Sequence, residues 1–113
     1  MDAGKRKEFQ ETLHALAAQI RAADAKSEGE RAPVELDQQA VGRLSRMDAL
    51  QVQAMALETS RRRGAELRRI AAALARIDEG EYGTCLECGE EIAVRRLELA
   101  PAAPLCIGCA SGQ

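Results

Sequence analysis

Residues 37–80 read "DQQAVGRLSRMDALQVQAMALETSRRRGAELRRIAAALARIDEG", a long run without a proline. Leu44, Met47, Leu50, Ala54 and Leu57 fall on one stripe of a 3.6-residue repeat. Leu67, Ile70, Leu74 and Ile77 continue it at intervals of three, four and three. The spacing predicts a helix over 37–79. Asp37 is placed as its N-cap, where a carboxylate accepts from the exposed N–H groups of the first turn. Gly80 is the natural C-terminal stop.

Upstream, Phe9, Leu13, Leu16 and Ile20 recur at intervals of four, three and four, which predicts a first helix over 5–26. "KSEGERAPVEL" (26–36) breaks the pattern with Gly29 and Pro33, so 27–36 is read as a loop. Two amphipathic helices joined in this way predict an antiparallel hairpin of coiled-coil type. At 1.5 Å per residue the arms are unequal, about 33 Å and about 63 Å. A compact loop would lay the first helix along the loop-proximal half of the second. The Leu67–Ile77 stripe would then need another cover. The C-terminal region offers one through Ile92, Leu97, Leu99, Leu105 and Ile107, with self-association or a second protein as the alternatives.

Composition agrees with a narrow helical seam. Aromatics make up 2% of the 113 residues, as Phe9 and Tyr82, and alanine and leucine dominate the apolar content. Sixteen basic and 18 acidic residues give a net charge of −2, which argues against a nucleic-acid binder that works by neutralising phosphates. The N-terminus "MDAGKRKEFQETLHALAAQI" has no apolar signal core. No apolar run approaches the roughly 18 residues needed to span a bilayer. The chain is therefore expected in the reducing cytoplasm, where cysteines favour metal over disulfides.

Cys85, Cys88, Cys106 and Cys109 have the arrangement C-x₂-C-x₁₇-C-x₂-C, inside the range of a four-cysteine zinc site. Two intervening residues let one knuckle aim both sulfurs at a single ion. Gly89 and Gly108 are read as supplying backbone freedom for the two turns. Four thiolates fill a tetrahedral shell and leave no position for water, so one zinc ion here is structural. A thioredoxin-like dithiol would need a βαβ context that the sequence lacks. "EEIAVRRLELAP" reads as one short helix before a proline turn. The expected architecture is all-α: a hairpin over 1–79 followed by a zinc-finger module over 80–113. With one histidine, no open metal position and no nucleophile motif, no enzymatic activity is expected.

The segment "IDEGEYGTCLECGEEIAVRRLELAPAAPLCIGC" (77–109) resembles the zinc finger of the DksA/TraR family of bacterial transcription regulators. The resemblance rests on G-x-Y-G-x-C-x-x-C-G, Ile92, the Arg96–Leu97 pair, Pro101 and the final C-x-x-C, with a long helical hairpin just before them. It implies a protein that binds RNA polymerase without sequence-specific DNA contact. The hairpin would enter the secondary channel and change open-complex lifetime, often together with the alarmone ppGpp. Family tips carry a D-x-x-D-x-A pattern. In "LDQQAVGRLSRMDA" (36–49) Asp37 can stand for the first acid, but Ala40 occupies the second place.

Asp37, Arg43, Arg46 and Asp48 are the candidate partner-binding residues of this tip. Each also has a plainer reading, an N-cap for Asp37 and a solvated helix face for the other three. The run Arg61, Arg62, Arg63, Arg68 and Arg69 has the same two sides: a solvated face, or contact with an acidic polymerase surface or a phosphorylated ligand. Two further functions remain open at this point. One is a zinc-ribbon nucleic-acid binder using the Arg61–Arg69 face. The other is a homo-oligomer held by the Leu67–Ile77 stripe, whereas the polymerase reading expects a monomer or weak dimer.

Overall fold

The computed structural model describes residues 1–31 and 43–112. Their fold is helical, with α1 at Ala3–Lys26, α2 at Glu28–Arg31, α3 at Arg43–Glu79, α4 at Val94–Leu99 and α5 at Ile107–Ala110. Strand pairing among the described residues is limited to one antiparallel bridge, Thr84 with Glu91. None of the described helices is long and apolar enough to cross a membrane. The predicted N-cap at Asp37 and the start of the second helix at 37 lie outside the described residues.

Local chemistry explains the helix ends. Asp2 caps α1, its carboxylate accepting from the Lys5 N–H at 2.7 Å. At the end of α3, Gly80 takes the left-handed conformation with φ 76°. Its N–H donates to the Ile77 carbonyl, while the Glu81 N–H donates to the Arg76 carbonyl at 2.8 Å. This pair of bonds is a Schellman motif, the stop expected at Gly80.

The stretch read as an irregular loop contains the helical turn α2. Four side chains hold it. Arg31 Nη1 donates to the Asp24 carbonyl, the Asp24 carboxylate and Ser27 Oγ, at 2.9, 3.1 and 3.2 Å. Arg63 on α3 reaches the same place, donating to Ser27 Oγ at 2.8 Å and pairing with Asp24 at 3.6 Å. The end of α1 is thus pinned beside Arg63.

That latch overturns one expectation about coverage. α1 does not lie along the loop-proximal half of α3; it packs on the other half. Phe9, Leu13 and Ala17 of α1 share one core with Ile70 and Ala73 of α3, and Leu67, Leu74 and Ile77 pack against it. The Leu67–Ile77 stripe is therefore covered, and Ile70 is 1% exposed. Tyr82, Ile92 and Leu97 close the same core from the C-terminal side. Leu99 and Ile107, assigned to that cover from sequence, are exposed instead. On α3 the apolar residues left exposed lie at the end away from the finger, at Met47, Leu50, Val52, Met55 and Leu57.

Removing part of the shared core should be costly. Leu13→Ala, at a fully buried site, is expected to lower unfolding free energy by about 2–5 kcal/mol in urea titrations of the zinc-loaded protein. Met55→Ala, at a residue that is 64% exposed, should stay within about 0.5 kcal/mol.

Candidate metal centre

The turn after α3 delivers Tyr82, Gly83 and Thr84 directly into the first cysteine knuckle. The Cys85 N–H donates to the Glu90 carbonyl at 2.8 Å and the Gly89 N–H returns to the Cys85 carbonyl at 3.0 Å. Gly89 has φ 76°, a conformation that a side chain would strain, so the glycine after Cys88 is required by the turn. The Ile92 N–H donates to the Gly83 carbonyl at 2.7 Å, which closes the hairpin-like loop around the knuckle.

The second knuckle is built differently. Cys106 is the N-cap of α5, with its Sγ accepting from the Cys109 N–H at 3.5 Å. Gly108 lies inside that helical turn without a left-handed φ, and a Cβ there would meet no atom closer than 4.0 Å. The freedom attributed to Gly108 from sequence is thus not used, because a helical turn already brings residues 106 and 109 to one side.

Two side chains brace the strap between the knuckles. Tyr82 Oη donates to the Pro101 carbonyl at 2.8 Å, and Arg96 Nε donates to the Leu105 carbonyl at 2.8 Å. The Leu86 N–H also donates to the Pro104 carbonyl at 3.0 Å. Sequence reasoning took Tyr82 and Arg96 as markers of a pattern. The structure gives them a positioning role, since both hold the segment that carries Cys106 into place.

All four Sγ atoms lie within 4.8 Å of one another, and those of Cys88 and Cys106 are 3.7 Å apart. A tetrahedron of sulfurs about 2.3 Å from a central zinc has edges of about 3.8 Å, so the donor set fits that ion in size and number. The cysteines carry no disulfide. Their thiols are held unequally. Backbone N–H groups around Cys85, that of Cys88 foremost, bring its thiol down to about 6. The neighbouring Cys106 thiol and burial push Cys109 well above the ordinary thiol range. A dication binding here must displace whatever protons the thiols carry.

Arg43 opens α3, Asp48 is exposed, and Arg46 is half-buried with its Nε enclosed and lacking a hydrogen-bond partner among the described residues. Asp37 lies outside the described residues. The basic run is mostly neutralised locally. Arg61 and Arg62 both pair with Glu58, at 2.7 and 3.1 Å, and Arg69 pairs with Glu66 at 2.6 Å. The Arg61 hydrogen bond outweighs desolvation and, with Arg62 adding to it, lowers the Glu58 carboxyl to about 2.

A helical hairpin closed at its base by a four-cysteine zinc finger is the class that this fold and site define. Residues 80–113 match the family described as "Prokaryotic dksA/traR C4-type zinc finger". Among solved structures, the chain is similar to the transcription factor DksA2 from Pseudomonas aeruginosa, with a TM-score of 0.80 and 28% identity over 100% of this chain and 85% of that one. It is also similar to the DnaK suppressor protein from Agrobacterium tumefaciens C58, with a TM-score of 0.62 and 30% identity over 95% of this chain and 92% of that one. The chain belongs to the DksA/TraR family of C4-type zinc finger proteins.

Relatives named RNA polymerase-binding transcription factor DksA match over 43 residues, or 38% of this chain. The protein from Haemophilus influenzae is 49% identical and that from Escherichia coli K12 is 42% identical. Those matches span only 30% and 28% of the relatives' own length. The metal of this family's finger is zinc, one ion per four-cysteine cluster.

Chelation should therefore act on the fold. Stripping zinc with a strong chelator is expected to remove one ion per chain, read by atomic absorption, and to lose the protection of the Cys85, Leu97 and Cys106 amides in hydrogen exchange. Acidification should release the ion as protons compete for the thiolates, and zinc added back to the metal-free chain should release protons.

Proposed function

We propose that this chain is a cytoplasmic bacterial transcription regulator that binds RNA polymerase through its helical hairpin, with Cys85, Cys88, Cys106 and Cys109 holding a structural zinc at the hairpin base. The observation that carries this reading is the likeness to a transcription factor over the entire chain, at a TM-score of 0.80. Relatives named RNA polymerase-binding transcription factors support polymerase as the partner. The geometry is suited to it. The uncovered outer half of α3 presents Met47, Leu50, Val52 and Met55 at the end remote from the finger. Exposed apolar side chains on a projecting helix are what insertion into a protein channel would bury.

The role would be non-catalytic, since four thiolates close the metal's shell and leave no site for water or substrate. The tip chemistry would rest on Arg43, Arg46 and Asp48 together with Asp37, in a stretch where Ala40 replaces the second acid of the family pattern. The competing functions lose their support. Nucleic-acid binding through Arg61–Arg69 would have to break the pairs with Glu58, Glu66 and Asp24. Self-association through the Leu67–Ile77 stripe has no exposed stripe to use.

Purified bacterial RNA polymerase immobilised on a column should retain the zinc-loaded chain, and another secondary-channel factor should displace it. A photoreactive residue at Met47 should crosslink to the subunits that form the channel. Absence of both retention and crosslinking would exclude the reading.

A further inference from the structure

Arg76 is the buried charged residue among the described residues, at 9% exposure. Its backbone carbonyl is fixed by the Glu81 and Tyr82 N–H groups at the end of α3. Its guanidinium makes no hydrogen bond or ion pair among the described residues. The stem is packed away while the guanidinium nitrogens keep contact with solvent, so the side chain holds a positive charge in a fixed place where an anion can reach it. Tyr82, whose side chain senses the Arg76 charge, cannot supply one. Burial pushes its phenol up to about 12, against the pull of Arg76, so it stays neutral.

Arg76 opens on a groove of about 430 Å³ between α3 and the strap of the finger. Arg68 and Arg69 line the same groove, and among the described residues no carboxylate does. Arg69 is already paired with Glu66, whereas Arg68 makes no ion pair among the described residues. The facing wall is apolar, made by Leu86, Ala102 and Pro104, and Leu86 is 64% exposed.

We propose that this groove docks an acidic segment of a protein partner, with one carboxylate received between Arg68 and Arg76 and an adjacent apolar side chain laid on Leu86. The two guanidinium forks suit a carboxylate. The exposed leucine wall favours a peptide over a free phosphate, because a small hydrated anion would bury no apolar surface there. The groove lies about 42 Å along α3 from Asp48, at 1.5 Å per residue. It would give the molecule a second grip at the finger end, separate from the hairpin tip. This inference rests on polymerase being the partner.

The test is equilibrium binding of zinc-loaded full-length variants to purified RNA polymerase. Arg76→Met and Arg68→Met should each weaken binding at least about tenfold, as expected when one member of a buried charge pair is truncated. Arg21→Met, an equal change of charge on the exposed face of α1, should bind like the parent. Arg68 is exposed, so its variant keeps the test decisive if Arg76→Met fails to fold. No binding by the parent chain would overturn both the polymerase reading and this groove. Parent-like binding by Arg68→Met, with polymerase binding intact, would overturn the groove alone. Saturable binding of inorganic pyrophosphate to the isolated chain, lost in Arg68→Met, would reassign the groove to phosphate and overturn the peptide.

Discussion

Phe9 and Tyr82, the two aromatic side chains of this protein, meet with ring centroids 5.5 Å apart and planes tilted by 50°. One comes from the first helix and the other from the turn that leads into the cysteines. A tilted aromatic pair of this kind contributes beyond its buried area, and here it joins the hairpin to the finger. Leu13, Ile70, Ile92 and Leu97 surround it in one cluster. Tyr82 then reaches past the core with its hydroxyl to hold Pro101. In a chain so poor in large side chains, this contact fixes where α1 sits along α3 and where the strap of the finger is tied.

The metal acts on the same core. Cys85 is buried within it, and Cys106 and Cys109 pack against it. A finger of this size has few large apolar residues of its own, so the zinc–sulfur bonds supply the stability that its core cannot. The cluster is continuous from the Phe9–Tyr82 pair to the thiolates. Loss of the ion would thus be felt by the hairpin as well as by the loops that carry the ligands.

Much of this architecture was legible in the sequence because its signals are local. The 3.6-residue repeats marked α1 and most of α3, and Gly80 marked the stop. The C-x₂-C pairs marked the cluster. What was not legible was the offset between the helices, which depends on contacts distant in sequence. Arg63 looked like one member of a basic run, yet it reaches Ser27 and Asp24 to secure the end of α1. Arg76 carried no signal of burial, since it occurs among alanines on a helix rich in arginine. Gly89 and Gly108 looked equivalent as letters; only the backbone distinguished the one that a turn requires.

The half-overlap of the two long helices separates two properties that a symmetric hairpin would bind together. α1 ends beside Arg63, so the stability of the molecule is concentrated between that point and the finger. Among the described residues, the segment of α3 from Arg43 to about Leu57 contributes one buried side chain, Ala56. The length of this outer arm can therefore vary by whole helical turns while the core contacts stay as they are. Reach becomes a variable that evolution, or an engineer, can adjust almost independently of folding.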